Sequence, residues 1–195
     1  MSRGGGASTR PPILVLVLAG AFLLLVVSLL IGSLTKPEFP PYQLGPSPDA
    51  GGGDGGGRVY TLDASRGDQW QRFRFAQDRV VQDSGRWDVA FRRNHVITAP
   101  GAGAVDLGPI RFDSLTEVPA AGYSSTAFAA DSVNPAIGKW YDYSMLSHLL
   151  TSKHHLYAVR TAEGEYVAFE ILAYYCREVG AACYTMRYKT ARPRV

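Results

Sequence analysis

The sequence predicts an all-β, antiparallel domain behind one N-terminal transmembrane helix, and three observations carry that prediction. Residues 13–34 are apolar or small without a single charge, residues 35–57 are dense in proline and glycine, and from residue 58 onward aromatic and β-branched residues recur at a spacing of two. Taken in order, these divide the chain into an N-terminal segment (1–12), a membrane span (13–34), a linker (35–57) and a folded domain (58–195).

Only Gly20, Ser28, Gly32 and Ser33 interrupt the aliphatic and aromatic run of the span. At 1.5 Å rise per residue, a helix of this length reaches about 33 Å, enough to cross a hydrocarbon core of about 30 Å. A secretory h-region is shorter and ends in an A-x-A-like site, which residues 31–37 do not supply, so the span reads as an uncleaved anchor. Arg3 and Arg10 precede it, whereas Lys36 sits beside Glu38 after it, so the positive-inside bias places residues 1–12 in the cytoplasm and the domain outside.

In the linker, Pro37, Pro40, Pro41, Pro46 and Pro48 stiffen the first half and a run of glycines loosens the second. Neither half carries enough apolar surface to offset the entropy of ordering, so it reads as a tether.

Within the domain, residues 59–62 and 69–75 read as short strands, the second carrying Trp70, Phe73 and Phe75. Residues 87–98 read as one longer strand, with Trp87, Val89, Phe91, Arg93, His95 and Ile97 on one face. An irregular Gly/Ala/Pro-rich loop is expected over 99–108, brief pairing over 109–116 and a strand over 122–128. Residues 156–161 and 166–175 flank a Gly-containing connection typical of a hairpin, and 183–189 returns as a third strand of a meander. Only residues 143–150 look helical, and briefly.

A net charge of +3 and the lack of a basic stripe with interleaved aromatics argue against a nucleic-acid partner. No Ser/His/Asp order, zinc-ligand spacing or phosphate-cradling loop stands out, so nothing points to an enzyme. The cysteines, Cys176 and Cys183, suit a disulfide stapling a hairpin end in an oxidising compartment; two reduced buried thiols or a metal-binding pair are the alternatives.

Three stretches resemble the HmuY-type haem-binding proteins, extracytoplasmic all-β domains. They are Trp87-Asp88-Val89-Ala90-Phe91-Arg92-Arg93, the 101–108 loop leading to Phe112-Asp113 and Val118-Pro119, and the 157–175 hairpin with Val159-Arg160-Thr161 and Gly164. Trp140-Tyr141-Asp142-Tyr143 is similar to the family's Trp-Tyr-x-Tyr segment. The resemblance implies a HmuY-like antiparallel β domain, non-enzymatic, that takes haem from a donor and holds its iron between two axial side chains. The partners it implies are haem or a haem-donating protein, besides the membrane. Met145 aligns with one ligand and His148 follows one helical turn later. The other ligand belongs to an insertion that here, over residues 123–139, is short and lacks His and Met.

Each candidate has a plainer reading. Met145 can be core filler, His148 a surface polar residue, and His95, on the apolar strand face, a hydrogen-bonded core histidine or a further iron ligand. Arg92 and Arg93 suit porphyrin propionates, or ion pairs with Asp88 or Asp106. Tyr141 and Tyr143, with Tyr174, Tyr175, Tyr184 and Tyr188, can line a flat cleft or be cross-strand packing. His154 and His155, adjacent at a strand entry, point to opposite faces and cannot share one metal.

Overall fold

The computed structural model describes residues 12–34, 42–47, 57–82, 85–128, 132–177 and 180–194. Apart from Pro12, the N-terminal segment lies outside these, as does the linker apart from residues 42–47 and Gly57. The chain divides into two compact units, Met1–Pro37 with Ser144–Leu149, and Glu38–Tyr143 with Leu150–Val195.

The first unit contains α1, Ile13–Leu34, a single 22-residue helix with no buried residue and a mean hydropathy of 3.2. Apolar on every side, it is long enough to cross a bilayer.

Among the described residues, the regular structure of the second unit is mostly strand: β1 (Gly45–Pro46), β2 (Arg58–Asp63), β3 (Gln71–Arg74), β4 (Arg79–Val81), β5 (Val89–Arg92), β6 (His95–Thr98), β7 (Gly103–Asp106), β8 (Glu117–Val118), β9 (Tyr141–Tyr143), β10 (Leu150–Ser152), β11 (Leu156–Arg160), β12 (Tyr166–Tyr175), β13 (Ala181–Thr190) and β14 (Arg192–Pro193). Six form one antiparallel sheet in the order β1-β2-β13-β12-β11-β7, and four form a second in the order β4-β3-β5-β6. The expected meander is there: β11 and β12 pair from Leu156↔Glu170 to Arg160↔Tyr166, and β13 returns alongside β12.

Alternation explains the layering. Phe73, Val89, Phe91 and Val96 from the smaller sheet share one buried cluster with Leu62, Tyr157, Val159, Phe169, Ile171, Tyr184 and Met186 from the larger. Rings interlock across it, Tyr60 on Phe73 at 4.8 Å and Phe91 on Tyr184 at 4.7 Å between centroids, in the tilted arrangements aromatic quadrupoles favour. A smaller cluster of Phe112, Val118, Leu156, Ala158 and Ala168 covers the other face of the large sheet.

Four expectations need correction. Residues 87–98 are not one strand but a hairpin: β5 and β6 meet at a two-residue turn, Arg93 and Asn94, with Arg93 in the left-handed region at φ 53. The turn shifts the alternation by one, because Arg92 now pairs with His95 and Phe91 with Val96. His95 therefore shares its face with Arg92, Ala90 and Ile97, not with Phe91 and Val89. The 99–108 loop contains β7, an edge strand of the large sheet, and Gly103 explains it: a Cβ there would stand 2.9 Å from the Tyr123 Cβ, so only glycine lets the 123–124 backbone come so near. Residues 122–128 form no strand and contribute one bridge, Ala104↔Ser124. Gly45–Pro46, inside the expected linker, pairs with Thr61 and Tyr60 of β2.

Candidate functional site

Strands β9 and β10 form a hairpin with Tyr143 opposite Leu150 and Tyr141 opposite Ser152. Its root is fixed by the fully buried Trp140, whose Nε1–H donates to the Asn94 carbonyl at 3.0 Å. The Asn94 side chain reaches on to the next residue, donating from Nδ2 to the Tyr141 hydroxyl at 3.0 Å. Asn94 thus couples the β5–β6 turn to the Trp-Tyr pair, a role that its place in a supposed continuous strand concealed. On the other side the Leu150 N–H donates to the Tyr175 hydroxyl at 2.7 Å.

The tip, Ser144–Leu149, is one tight turn and not the short helix the sequence suggested. Ser144 N–H donates to the Leu149 carbonyl and His148 N–H to the Ser144 carbonyl, both at 2.9 Å, while Ser147 N–H bonds the Ser144 hydroxyl at 3.2 Å. His148 closes the turn at φ 56. Both Met145, at 73% exposure, and His148 are exposed. Core filling, the plainer reading of Met145, is therefore excluded.

The remaining candidates divide. Tyr141 is half-buried, with its ring edge-on to Trp140 at 5.0 Å, and Tyr143 is exposed. Arg93 is exposed on the turn beside Asn94, whereas the Arg92 guanidinium stacks 4.4 Å above the Trp70 ring. Their expected ion-pair partners are engaged elsewhere: Asp88 accepts the Phe75 N–H at 2.8 Å, and Asp106 is held by His155 at 2.9 Å. His95 is half-buried on the Arg92 face. His154 Nδ1 bonds the buried Glu170 at 3.1 Å, and Glu170 in turn bonds Arg187 at the same distance.

Most of the tyrosines are packing. Trp140, Tyr174 and Tyr184 lie 5.1–5.2 Å apart, centroid to centroid, and burial pushes the Tyr174 hydroxyl up to about 12 and holds that of Tyr184 well above its ordinary value. Four surface clefts of about 370–720 Å³ are lined by other residues, and none touches Met145, His148, His95, Tyr141 or Tyr143.

Cys176 and Cys183 are joined in a disulfide, with Cα atoms 4.9 Å apart. They are not directly opposed. Tyr175 pairs with Ala181 and Ala173 with Thr185, so residues 182–184 bulge against Tyr174, with Ala182 at φ 79. The Asp63 carboxylate lies near both sulfurs, but sulfurs bonded to each other offer a metal no thiolates.

The two-sheet antiparallel architecture with its β9–β10 hairpin has counterparts among solved structures. The chain is similar to a candidate HmuY-like haem-binding protein from Bacteroides vulgatus (17% identity, TM-score 0.62, covering 75% of this chain and 97% of that one). It also matches the apo HmuY analogue of Tannerella forsythia (13%, 0.59, 71% and 96%) and a candidate lipoprotein from Bacteroides fragilis (14%, 0.60, 69% and 91%). No protein-family model and no curated protein matches. The β domain has the HmuY-like fold.

Met145 and His148 bring a thioether and an imidazole, both competent iron donors, onto one turn, where they would serve one side of a haem. Residues 123–139 offer no His, Met or Cys for the opposite face.

Proposed function

We propose that this chain is a membrane-anchored, extracytoplasmic haem-binding or haem-relay protein with no enzymatic role, holding haem at the open hairpin tip. The reading is supported by the HmuY-like fold and carried by one observation: Met145 and His148 stand exposed together on a six-residue turn. Met145 or His148 gives the iron its axial bond, Tyr141 and Tyr143 flank the macrocycle, and Arg93 serves a propionate, with Arg92 behind it on Trp70. His95 is the remaining imidazole on that face of the small sheet. When bound, haem supplies only its iron's affinity for such donors. A single-sided site holds it loosely, which suits transfer from a haem-donating protein better than storage.

The domain plan follows: cytoplasmic residues 1–12, span 13–34, linker 35–57 and extracytoplasmic domain 58–195. Protease added to intact cells should remove the domain, and full protection would reverse the orientation. For haem, the full chain in nanodiscs is titrated with haemin against empty nanodiscs. A saturable, shifted Soret band that Met145→Ala with His148→Ala abolishes is expected; a spectrum equal to the empty-disc control would overturn the reading.

A second reading, a HmuY-fold interaction domain that binds no haem, is favoured by the surface clefts described above, none of which is lined by Met145, His148, His95, Tyr141 or Tyr143. The same titration decides between them.

A further inference from the structure

The hairpin tip belongs to the same compact unit as α1. A Cβ placed on Gly32 would lie 3.3 Å from the Leu146 carbonyl oxygen, so the tip backbone rests against the last turn of the helix at a residue with no side chain to keep it away. Gly32 is two residues from the helix end, about 3 Å along the axis, and a 22-residue helix slightly exceeds the hydrocarbon thickness. That position is the boundary between acyl chains and headgroups.

The tip is built for such a place. From Tyr143 to Leu150 the sequence has no Asp, Glu, Lys or Arg, and it exposes Tyr143 (48%), Met145 (73%) and Leu146 (56%). Tyrosine with aliphatic neighbours is the composition that membrane interfaces favour. The turn also bonds its own Ser144, Ser147 and His148 N–H groups, which lowers the cost of taking this backbone out of water. Charge resumes on both arms of the hairpin at Asp142 and Lys153, themselves 3.8 Å apart.

We propose that Ser144–Leu149 is seated in the lipid interface on the non-cytoplasmic side, a second membrane contact beside the span. The proposal rests on the membrane-spanning reading of α1 and is independent of haem. It makes the bilayer surface the partner of this loop.

The test is nitroxide labelling of the full chain in nanodiscs, with the native disulfide intact. Labels go on Leu146→Cys, Ser147→Cys, Leu24→Cys within the span and Ser125→Cys on an exposed loop. Accessibility to oxygen and to a water-soluble nickel chelate is then measured. Expected is a several-fold lower nickel accessibility at 146 and 147 than at 125, with 24 the most shielded. Tip labels as open to nickel as 125 while 24 stays shielded would overturn the proposal and leave the span standing. A label at 24 as open as 125 would remove the span and the proposal together. Gly32→Leu should raise nickel accessibility at 146 several-fold by pushing the tip off the helix, and no change would overturn the packing argument.

Discussion

Asp88 is 3% exposed and spends one carboxylate oxygen on the Phe75 N–H. Desolvation raises its pKa above the ordinary range, against the opposing pull of that hydrogen bond. The protonated carboxyl is favoured in the folded protein, so its contribution to stability is complete below about pH 4 and fades as pH rises through the elevated value. Asp88→Asn keeps an acceptor and removes the charge; urea midpoints across that range should lose this decline. Asp88→Ala leaves the Phe75 N–H buried without a partner and should cost about 1–3 kcal/mol at any pH. Asn94→Ala, which takes the Nδ2 donor from the Tyr141 hydroxyl while sparing the backbone bond to Trp140, should cost about 0.5–1.5 kcal/mol by the same measurement. His95 shows why single residues are hard to place from sequence. Its chemistry is evident, but its face depends on a turn at Arg93 and Asn94 that carries none of the usual Asn-Gly or Asp-Gly punctuation.

The α1 helix, the β11–β13 meander and the short strands β2 and β3 were legible, but several other short elements were not. Strands β11, β12 and β13 alternate over enough residues, about a Gly-containing connection at 162–165, for period two to fix them. Strands β1, β7, β9 and β10 have two to four residues, and their pairing comes from tertiary contacts that no local window holds. The tip followed the same rule: three spaced apolar residues imitate a helical turn, and the hairpin arms override it. The disulfide was legible from spacing, though the bulge that brings its cysteines together was not. Replacing both cysteines by serine opens an eight-residue loop and should lower stability by about 2–3 kcal/mol in urea melts. Trp140→Ala, at the root of the β9–β10 hairpin, should cost about 3–5 kcal/mol.

At the scale of the whole molecule, the sequence separates a wholly apolar helix from a folded β domain, because a charge-free 22-residue run and a period-two pattern bury their apolar surface in different ways. The candidate donors and the short 123–139 segment without His or Met were visible in the sequence, but that Met145 and His148 lie on a turn rather than a helix was not, since three-residue spacing looks alike on both in one dimension. The borders of the large sheet have their own consequence. At one end Pro46 brings no N–H to the outer strand, and at the other Ala104 exchanges both backbone bonds with Ser124, at 3.0 and 2.8 Å. Strands held side by side at high surface density polymerise through open borders. With both borders of this sheet stopped, neighbouring copies have little open edge of it to pair through, and the smaller sheet ends on the three-residue β4, opened by Arg79, and on β6.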